Sequence, residues 1–219
     1  MRFFVTMIFM EQKTKRAAII LAYLKKTHPK SKISLKFGNQ IQLLVAVILS
    51  AQCTDKKVNE VTEKLFKKYK TVNDFANANP KIFEREIHST GFYRAKVKNI
   101  ISAAKLIKKE FCGKLPRTMA EMIRIPGVAR KTANIVLGNA HGVVEGIAVD
   151  THVKRFAKVC KLSDSDNPVK IEQDLMKLFP KKEWFSLTYR IVDHGRASRT
   201  KEHKHEHCLL RDLCGDPKF

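Results

Sequence analysis

Two residues of this chain carry side chains suited to breaking the bond between a base and a sugar. Lys131 follows a tight turn at residues 125–129, and Asp150 stands 19 residues further along, directly before Thr151. An amine can attack the anomeric carbon of a sugar and hold it as a Schiff base, while a carboxylate stabilises the cationic sugar of the transition state. If both side chains face one pocket, the pair predicts cleavage of an N-glycosidic bond.

The charge of the chain indicates which sugar this is. Among 219 residues, 43 Lys and Arg oppose 21 Asp and Glu, for a net charge of +22. Phosphate contacts release counterions and dominate the affinity of basic proteins for nucleic acid, so the expected partner is DNA. General solubility is the alternative explanation of the charge. A hydrophobic content of 44% supports a packed core and excludes a disordered chain.

Cysteine usage and apolar runs bear on the compartment. The chain has an odd number of cysteines, namely Cys53, Cys112, Cys160, Cys208 and Cys214. This is typical of a reduced intracellular protein, and we expect it in the cytoplasm or nucleoid. No apolar run approaches the roughly 18 residues of a membrane span. Residues 1–10 are apolar but lack the cleavage site of a signal peptide, and whether residues 1–9 belong to the mature protein stays open. We expect a monomer.

Helical periodicity dominates the chain, and no strand alternation stands out, so we predict an all-α fold. Residues 40–50 are apolar nearly all round, which predicts a central buried helix. Asn167 and Pro168 are typical of a helix start. Gly195 predicts the end of the helix that begins near Trp184.

The turn before Lys131 has the features of a hairpin between two helices. Pro126 and Gly127 interrupt the first helix, and the second begins around Arg130. Free N–H groups at such a helix start can bind a phosphate, directly or through a cation. Lys131 falls in the first turn, where the helix dipole disfavours an ammonium, and burial would act in the same direction. The alternative is one more solvated lysine.

Asp150 also has two interpretations. An aspartate before 151–156 is a good N-cap residue, and caps are common. The two roles are compatible, because a capping carboxylate has a fixed position and a charge stabilised by backbone N–H groups.

The combination of these motifs resembles the helix-hairpin-helix and downstream aspartate of the base-excision DNA glycosylases. Within that superfamily it is similar to endonuclease III, with further matching stretches at 49–55, 90–96 and 193–196. The resemblance extends from about residue 15 to residue 213, which is nearly the whole chain.

The resemblance implies two α-helical domains that flank a DNA-binding cleft. One is a six-helix barrel at residues 33–143, which contains the helix-hairpin-helix at about 119–141. The other combines the N- and C-terminal helices, residues 1–32 and 144–219, and carries a degenerate iron–sulfur loop.

The resemblance also implies a bifunctional DNA glycosylase and AP lyase. Its partner would be double-stranded DNA with damaged pyrimidines, such as thymine glycol, or with abasic sites. Lys131 would form the Schiff base, Asp150 would support the attack, and β-elimination would cut the strand.

The resemblance also implies a set of residues that contact DNA. Gln52 would fill the gap left by the flipped nucleotide, Phe92 would wedge into the opposite strand, and His152 would contact the flipped base. As alternatives, Gln52 is a helix-terminal amide, Phe92 a core phenylalanine and His152 a structural histidine. The remaining expected contacts are Ile125, Gly127, Ala129, Arg130 and Arg196.

The C-terminal segment departs from the family pattern. The family holds a [4Fe–4S] cluster on four cysteines spaced C-x6-C-x2-C-x5-C, and this chain has Ser198, His205, Cys208 and Cys214 at those positions. Since a cubane cluster normally requires four thiolates, we predict no cofactor and no metal. Zinc on Cys208, Cys214 and histidines such as His205 is the alternative.

Two other functions stay open at this point. A monofunctional adenine or mismatch glycosylase has the same fold but lacks the hairpin lysine, so Lys131 argues against it. A non-catalytic helix-hairpin-helix DNA-binding protein would need neither Lys131 nor Asp150, although the altered cysteine set favours it. The hairpin also has Ala129 where the family commonly has glycine.

Overall fold

The structure is a computed structural model that describes the backbone of residues 2–198 and the side chains of residues 11–198. Within residues 2–198 the chain forms helices and no strand, which confirms the all-α prediction. The α-helices are α1 Arg2–Thr27, α2 Gln40–Leu49, α3 Asp55–Lys68, α4 Val72–Ala76, α5 Pro80–Ile87, α6 Tyr93–Glu110, α7 Met119–Met122, α8 Arg130–His141, α9 Thr151–Val159, α10 Pro168–Leu178 and α11 Trp184–Ala197. Short 3₁₀ turns at His88–Thr90 and Lys181–Glu183 precede α6 and α11.

The chain divides into two compact units. Ser34–Glu145 forms the first, here called the central unit, which contains α2 to α8. The segments before and after it form the second, here called the terminal unit, which contains α1 and α9 to α11. None of the helices in the described part of the chain is long and apolar enough to cross a membrane.

The core of the central unit is built around α2. Every residue from Ile41 to Leu49 is buried, which confirms the predicted central helix. α2 packs against α3, α6 and α8, so its whole circumference is covered by other helices. Its one buried polar side chain, Gln42, donates a hydrogen bond to the carbonyl oxygen of Tyr69 at 3.3 Å and accepts one from the N–H of Gly38 at 2.8 Å. These bonds satisfy the amide inside an otherwise apolar helix.

The core of the terminal unit joins segments far apart in the sequence. Ile20 and Leu24 of α1 pack with Phe156 of α9 and Leu175 of α10, and all four are buried. An ion-pair cluster lies beside this core, where the Glu183 carboxylate accepts from Lys25 at 2.9 Å and from Arg190 at 2.7 Å. Hydrogen bonds from Lys25 and Arg190 hold the pKa of Glu183 below its usual value against the opposing effect of burial.

One predicted helix boundary is confirmed and another is wrong. Asn167 caps α10 by accepting from the N–H of Val169 at 2.8 Å, with Pro168 at the first position. Gly195 does not end α11, which continues to Ala197. A Cβ added at Gly195 would lie 2.8 Å from Nδ1 of His152, so this glycine permits close helix packing.

Candidate catalytic and nucleic-acid-binding residues

Two buried apolar side chains anchor the turn between α7 and α8. Ile125 and Val128 are buried at 1% and 6% exposure, while Gly127 between them is exposed. Gly127 has φ +79°, and a Cβ there would lie 2.9 Å from the Cβ of Asn99 on α6. Glycine is therefore required both by the backbone conformation and by the close approach of α6. The hairpin presents main chain at its tip.

Helix α8 begins without a side-chain cap. Its N-cap residue, Ala129, is extended and exposed and has no side-chain hydrogen bond to the first turn. In the central unit, α2, α3, α4, α5 and α7 each begin with an Asn or Thr that accepts from a first-turn N–H. Since no N-cap side chain competes for the first N–H groups of α8, this helix start is suited to bind an anion.

Lys131 is the second residue of α8 and is exposed. The burial considered in the sequence analysis is therefore absent. The start of the helix places the positive end of the helix dipole beside this residue. Arg130, its neighbour, is half-buried.

Asp150 is the N-cap of α9, in the terminal unit. Its Oδ1 accepts from the N–H of Val153 at 2.8 Å, and the side chain is half-buried. A carboxylate held in this way has a fixed orientation and lies at the positive end of the helix dipole. Both properties suit a group that must face a developing positive charge without moving.

His152 lies two residues after Asp150 and packs on α11. Its ring is half-buried, and the absence of a side chain at Gly195 leaves room for Nδ1. Arg196, the next residue of α11, is exposed. The structure thus gives His152 a packing role at the start of α9.

Gln52 and Phe92 occupy the tips of two turns in the central unit. Gln52 lies between α2 and α3, and Phe92 is the N-cap of α6. Both have left-handed backbone, with φ +52° and φ +49°, a conformation that costs roughly 1–2 kcal/mol for a residue with a Cβ. Phe92 is 66% exposed, which excludes the core interpretation. Strained residues with exposed side chains are typical of functional sites.

Lys96 was not among the residues predicted from the sequence, and it is one of the most buried charged residues described. It is 4% exposed, and its Nζ donates to the carbonyl oxygens of Leu49 and Thr90, each at 2.8 Å. Burial lowers the pKa of this ammonium. Its helical spacing indicates this burial, because Lys96 lies on the same face of α6 as the buried residues Ile100, Ala103 and Ile107.

The predicted metal ligands lie mostly beyond the described residues. Cys208, Cys214 and His205 fall outside them, and Ser198 is the last residue inside. Ser198 is buried, and its hydroxyl donates to the carbonyl oxygen of Gly195 at 3.2 Å. Among residues 11–198, no group of three or more His, Cys, Asp or Glu side chains could hold a metal ion.

Comparison with known proteins gives consistent matches. Residues 45–181 match the family model of the HhH-GPD superfamily base excision DNA repair protein. Endonuclease III of Synechocystis sp. is 46% identical over 206 residues, which cover 94% of this chain and 94% of that protein. The match is therefore neither local nor confined to the hairpin.

Solved structures show the same likeness in three dimensions. A non-covalent complex of endonuclease III with DNA superposes with a TM-score of 0.87 at 37% identity, covering 93% of this chain and 95% of that one. A trapped covalent intermediate of endonuclease III with DNA, an estranged-adenine complex, has a TM-score of 0.87 and covers 93% and 96%.

Proposed function

The chain belongs to the HhH-GPD superfamily of base excision DNA repair proteins, and we propose that it is a bifunctional DNA glycosylase and AP lyase. The observation that carries the proposal is the exposed Lys131 in the first turn of α8, directly after the hairpin. A hairpin that only held a phosphate would need no nucleophile there. The solved structures of endonuclease III with DNA, one of them a covalent intermediate, support this proposal.

The proposed reaction begins at C1′ of the damaged nucleotide. The neutral amine of Lys131 attacks C1′, and the base leaves with the electrons of the N-glycosidic bond. Opening of the sugar ring gives a protonated Schiff base, which acidifies the proton on C2′. Loss of that proton expels the 3′ phosphate by β-elimination, and water then hydrolyses the Schiff base to release the enzyme. Asp150 stabilises the positive charge of the sugar during the first step.

We propose that the hairpin holds the DNA backbone without reading its sequence. The uncapped N–H groups after Ala129 bind a phosphate, and Arg130 adds charge beside them. Gly127 brings the main chain close to the strand. Ile125, whose side chain is 1% exposed, contributes through its main chain and by anchoring the turn.

Four further residues act on the nucleotide and its surroundings in this proposal. Gln52 fills the space left by the flipped nucleotide, and Phe92 wedges between bases of the opposite strand. His152 contacts the flipped base, and Arg196 contacts phosphate. The exposure of Phe92 on its turn supports the wedge, because a rigid aromatic at a turn tip can enter a base stack without moving the core.

We propose duplex DNA with oxidised pyrimidines or abasic sites as the substrate. The enzyme acts on it as a monomer inside the cell. Damaged bases are weakly stacked, and an abasic site has no base to unstack. Both therefore lower the free energy required for flipping.

We further propose that the chain works without the [4Fe–4S] cluster of its family. The set Ser198, His205, Cys208 and Cys214 contains two thiolates, which does not fit a cubane that needs four. The hydroxyl of Ser198 donates instead to the main chain of α11. Iron, zinc and sulfide analysis of protein purified without a histidine tag tests this, and stoichiometric iron and sulfide would contradict it.

Borohydride trapping tests the function itself. Wild type and Lys131→Ala are incubated with duplexes that carry either one thymine glycol or one abasic site, and the reduced covalent adduct is measured. We expect an adduct with wild type on both substrates and none with Lys131→Ala. Lys131→Arg is the matched control, because it keeps the positive charge for DNA binding and removes the nucleophile.

Two outcomes would contradict the proposal. Cleavage and trapping that persist in Lys131→Ala would show that another amine is the nucleophile. If wild type binds both duplexes and forms no adduct on either, the chain is a monofunctional glycosylase or a non-catalytic DNA-binding protein.

A further inference from the structure

The two turns of the central unit that present Gln52 and Phe92 are far apart in sequence, and one side chain joins them. Gln52 stands three residues after the end of α2, and Phe92 stands two residues after the turn His88–Thr90. Lys96 donates from one Nζ to the last carbonyl of α2, on Leu49, and to the carbonyl of Thr90, both at 2.8 Å. Each acceptor lies immediately before one of the turns.

We propose that Lys96 is a positioning residue, which fixes the separation of Gln52 and Phe92 so that both side chains enter the duplex together. The inference rests on the proposed function, since it concerns the two residues assigned there to the flipped nucleotide and its opposite strand. Lys96 itself is 4% exposed, so its side chain is too buried to reach a duplex bound at the surface. It acts through the backbone that carries the two side chains.

A lysine is suited to this place for reasons of charge and geometry. The carbonyls at the end of a helix lack partners within the helix and lie at its negative end, so a cation there satisfies both needs. An ammonium has three donors on one atom, which allows a single group to hold two carbonyls at once. Lys96 is 4% exposed, so the two carbonyls take the place of water as partners of its ammonium. The same burial lowers the pKa of Lys96.

The backbone conformation of Gln52 and Phe92 explains why the two turns need a fixed connection. Gln52 and Phe92 have left-handed φ values of +52° and +49°, a conformation that residues with a Cβ adopt only when their surroundings hold it. The Lys96 ammonium holds the residue that leads into each turn. Without it, both tips lose a fixed point, and their separation varies.

The test compares two substrates that differ in their need for base flipping. Excision of thymine glycol requires both side chains to enter the duplex around an extruded base, whereas a preformed abasic site has no base to extrude. For Lys96→Met, which keeps the length and apolar stem of lysine, we expect the ratio of excision rate to abasic-site cleavage rate to fall about 10-fold or more. Lys105→Met is the matched control, since Lys105 is exposed on the same helix, and its ratio should stay at the wild-type value.

A double-mutant cycle separates positioning from general damage to the fold. If Lys96 acts through the wedge, Lys96→Met in a Phe92→Ala background should lower the same ratio less than about threefold. A full 10-fold fall in that background would overturn the proposal, and so would an unchanged ratio in Lys96→Met alone. Should Lys96→Met fail to fold by circular dichroism, Lys96→Gln, which can still reach one carbonyl, is measured with the same criteria.

A fluorescence measurement keeps the inference separate from the proposed chemistry. With 2-aminopurine opposite the lesion and Lys131→Ala as the background, duplex distortion is read without any reaction. We expect Lys96→Met to reduce the fluorescence rise at saturating protein at least threefold. If wild type neither excises nor cleaves, the proposed function fails while this signal still tests Lys96, and an undiminished rise would refute the positioning role.

Discussion

Replacing Gly127 by alanine tests whether the hairpin depends on close approach of α6 as well as on a left-handed backbone. At φ +79°, any residue with a Cβ is strained by roughly 1–2 kcal/mol. The new Cβ would also lie 2.9 Å from Cβ and 3.1 Å from Nδ2 of Asn99, so the hairpin or α6 must shift, which adds about 1–3 kcal/mol. We therefore expect Gly127→Ala to lower the free energy of unfolding by about 2–5 kcal/mol.

Gly142→Ala is the matched control for the strain alone. Gly142 ends α8 with φ +67°, and a Cβ there would meet nothing within 4 Å. Its expected loss is about 1–2 kcal/mol, so the difference between the two variants isolates the contact with Asn99. Urea unfolding followed by circular dichroism gives both values.

The same pair of variants should separate in DNA binding. Displacement of the hairpin by Asn99 would move the uncapped start of α8, so Gly127→Ala should weaken binding to undamaged duplex, and Gly142→Ala should not. Anisotropy titrations over a range of salt concentrations report both the affinity and the number of phosphate contacts. If Gly127→Ala is no more destabilising than Gly142→Ala, or if both bind DNA like wild type, the steric argument is wrong.

Three further predictions follow from contacts described above. Asp150→Asn should keep the cap and stay within about 0.5 kcal/mol of wild-type stability, while Asp150→Ala should lose about 1 kcal/mol, and both should reduce excision at least about 100-fold in single-turnover assays. Because Lys25 and Arg190 lower the pKa of Glu183 in the folded state, their stabilisation is fully present above about pH 4.5 and is lost as pH falls through that lowered pKa. Glu183→Gln should cost about 1–2 kcal/mol at pH 7 by thermal melts, and this cost should shrink as the pH falls below about 4.5. Gly195→Ala should destabilise wild type by about 1–2 kcal/mol, yet stabilise a His152→Ala background by up to about 1 kcal/mol, because helix propensity then acts alone; equal effects in both backgrounds would contradict this.

Local patterns were sufficient to predict the elements that carry the proposed chemistry. The apolar circumference of residues 40–50 predicts burial on every side, and α2 has it. The Pro126-Gly127 turn predicts the start of α8 because proline and glycine constrain backbone angles without reference to the rest of the fold. The capping role of Asp150 is equally local, and its side chain accepts from Val153 as expected.

Features that depend on distant neighbours were missed, misread or left open by the sequence. Gly195 has the same signature whether it ends a helix or admits a neighbouring ring, and only the packing of His152 distinguishes the two. The exposure of Phe92 could not be read from its type, since large apolar residues are usually buried. Lys96 was overlooked because a lysine among apolar positions is normally assigned to the surface, while its acceptors are 6 and 47 residues away.

The missing side-chain caps of α6 and α8 link the stability of the free protein to its occupancy by DNA. In five helices of the central unit an Asn or Thr side chain accepts from an N–H group of the first turn, and these two helices have no such side-chain cap. An N-cap contributes about 1 kcal/mol, so the free enzyme is less stable than it would be with an Asn or Thr cap at both helices. By mass action, a duplex that supplies the caps should raise the melting temperature and slow hydrogen exchange first at the starts of these two helices. The repair enzyme would then be most rigid only while it holds a strand.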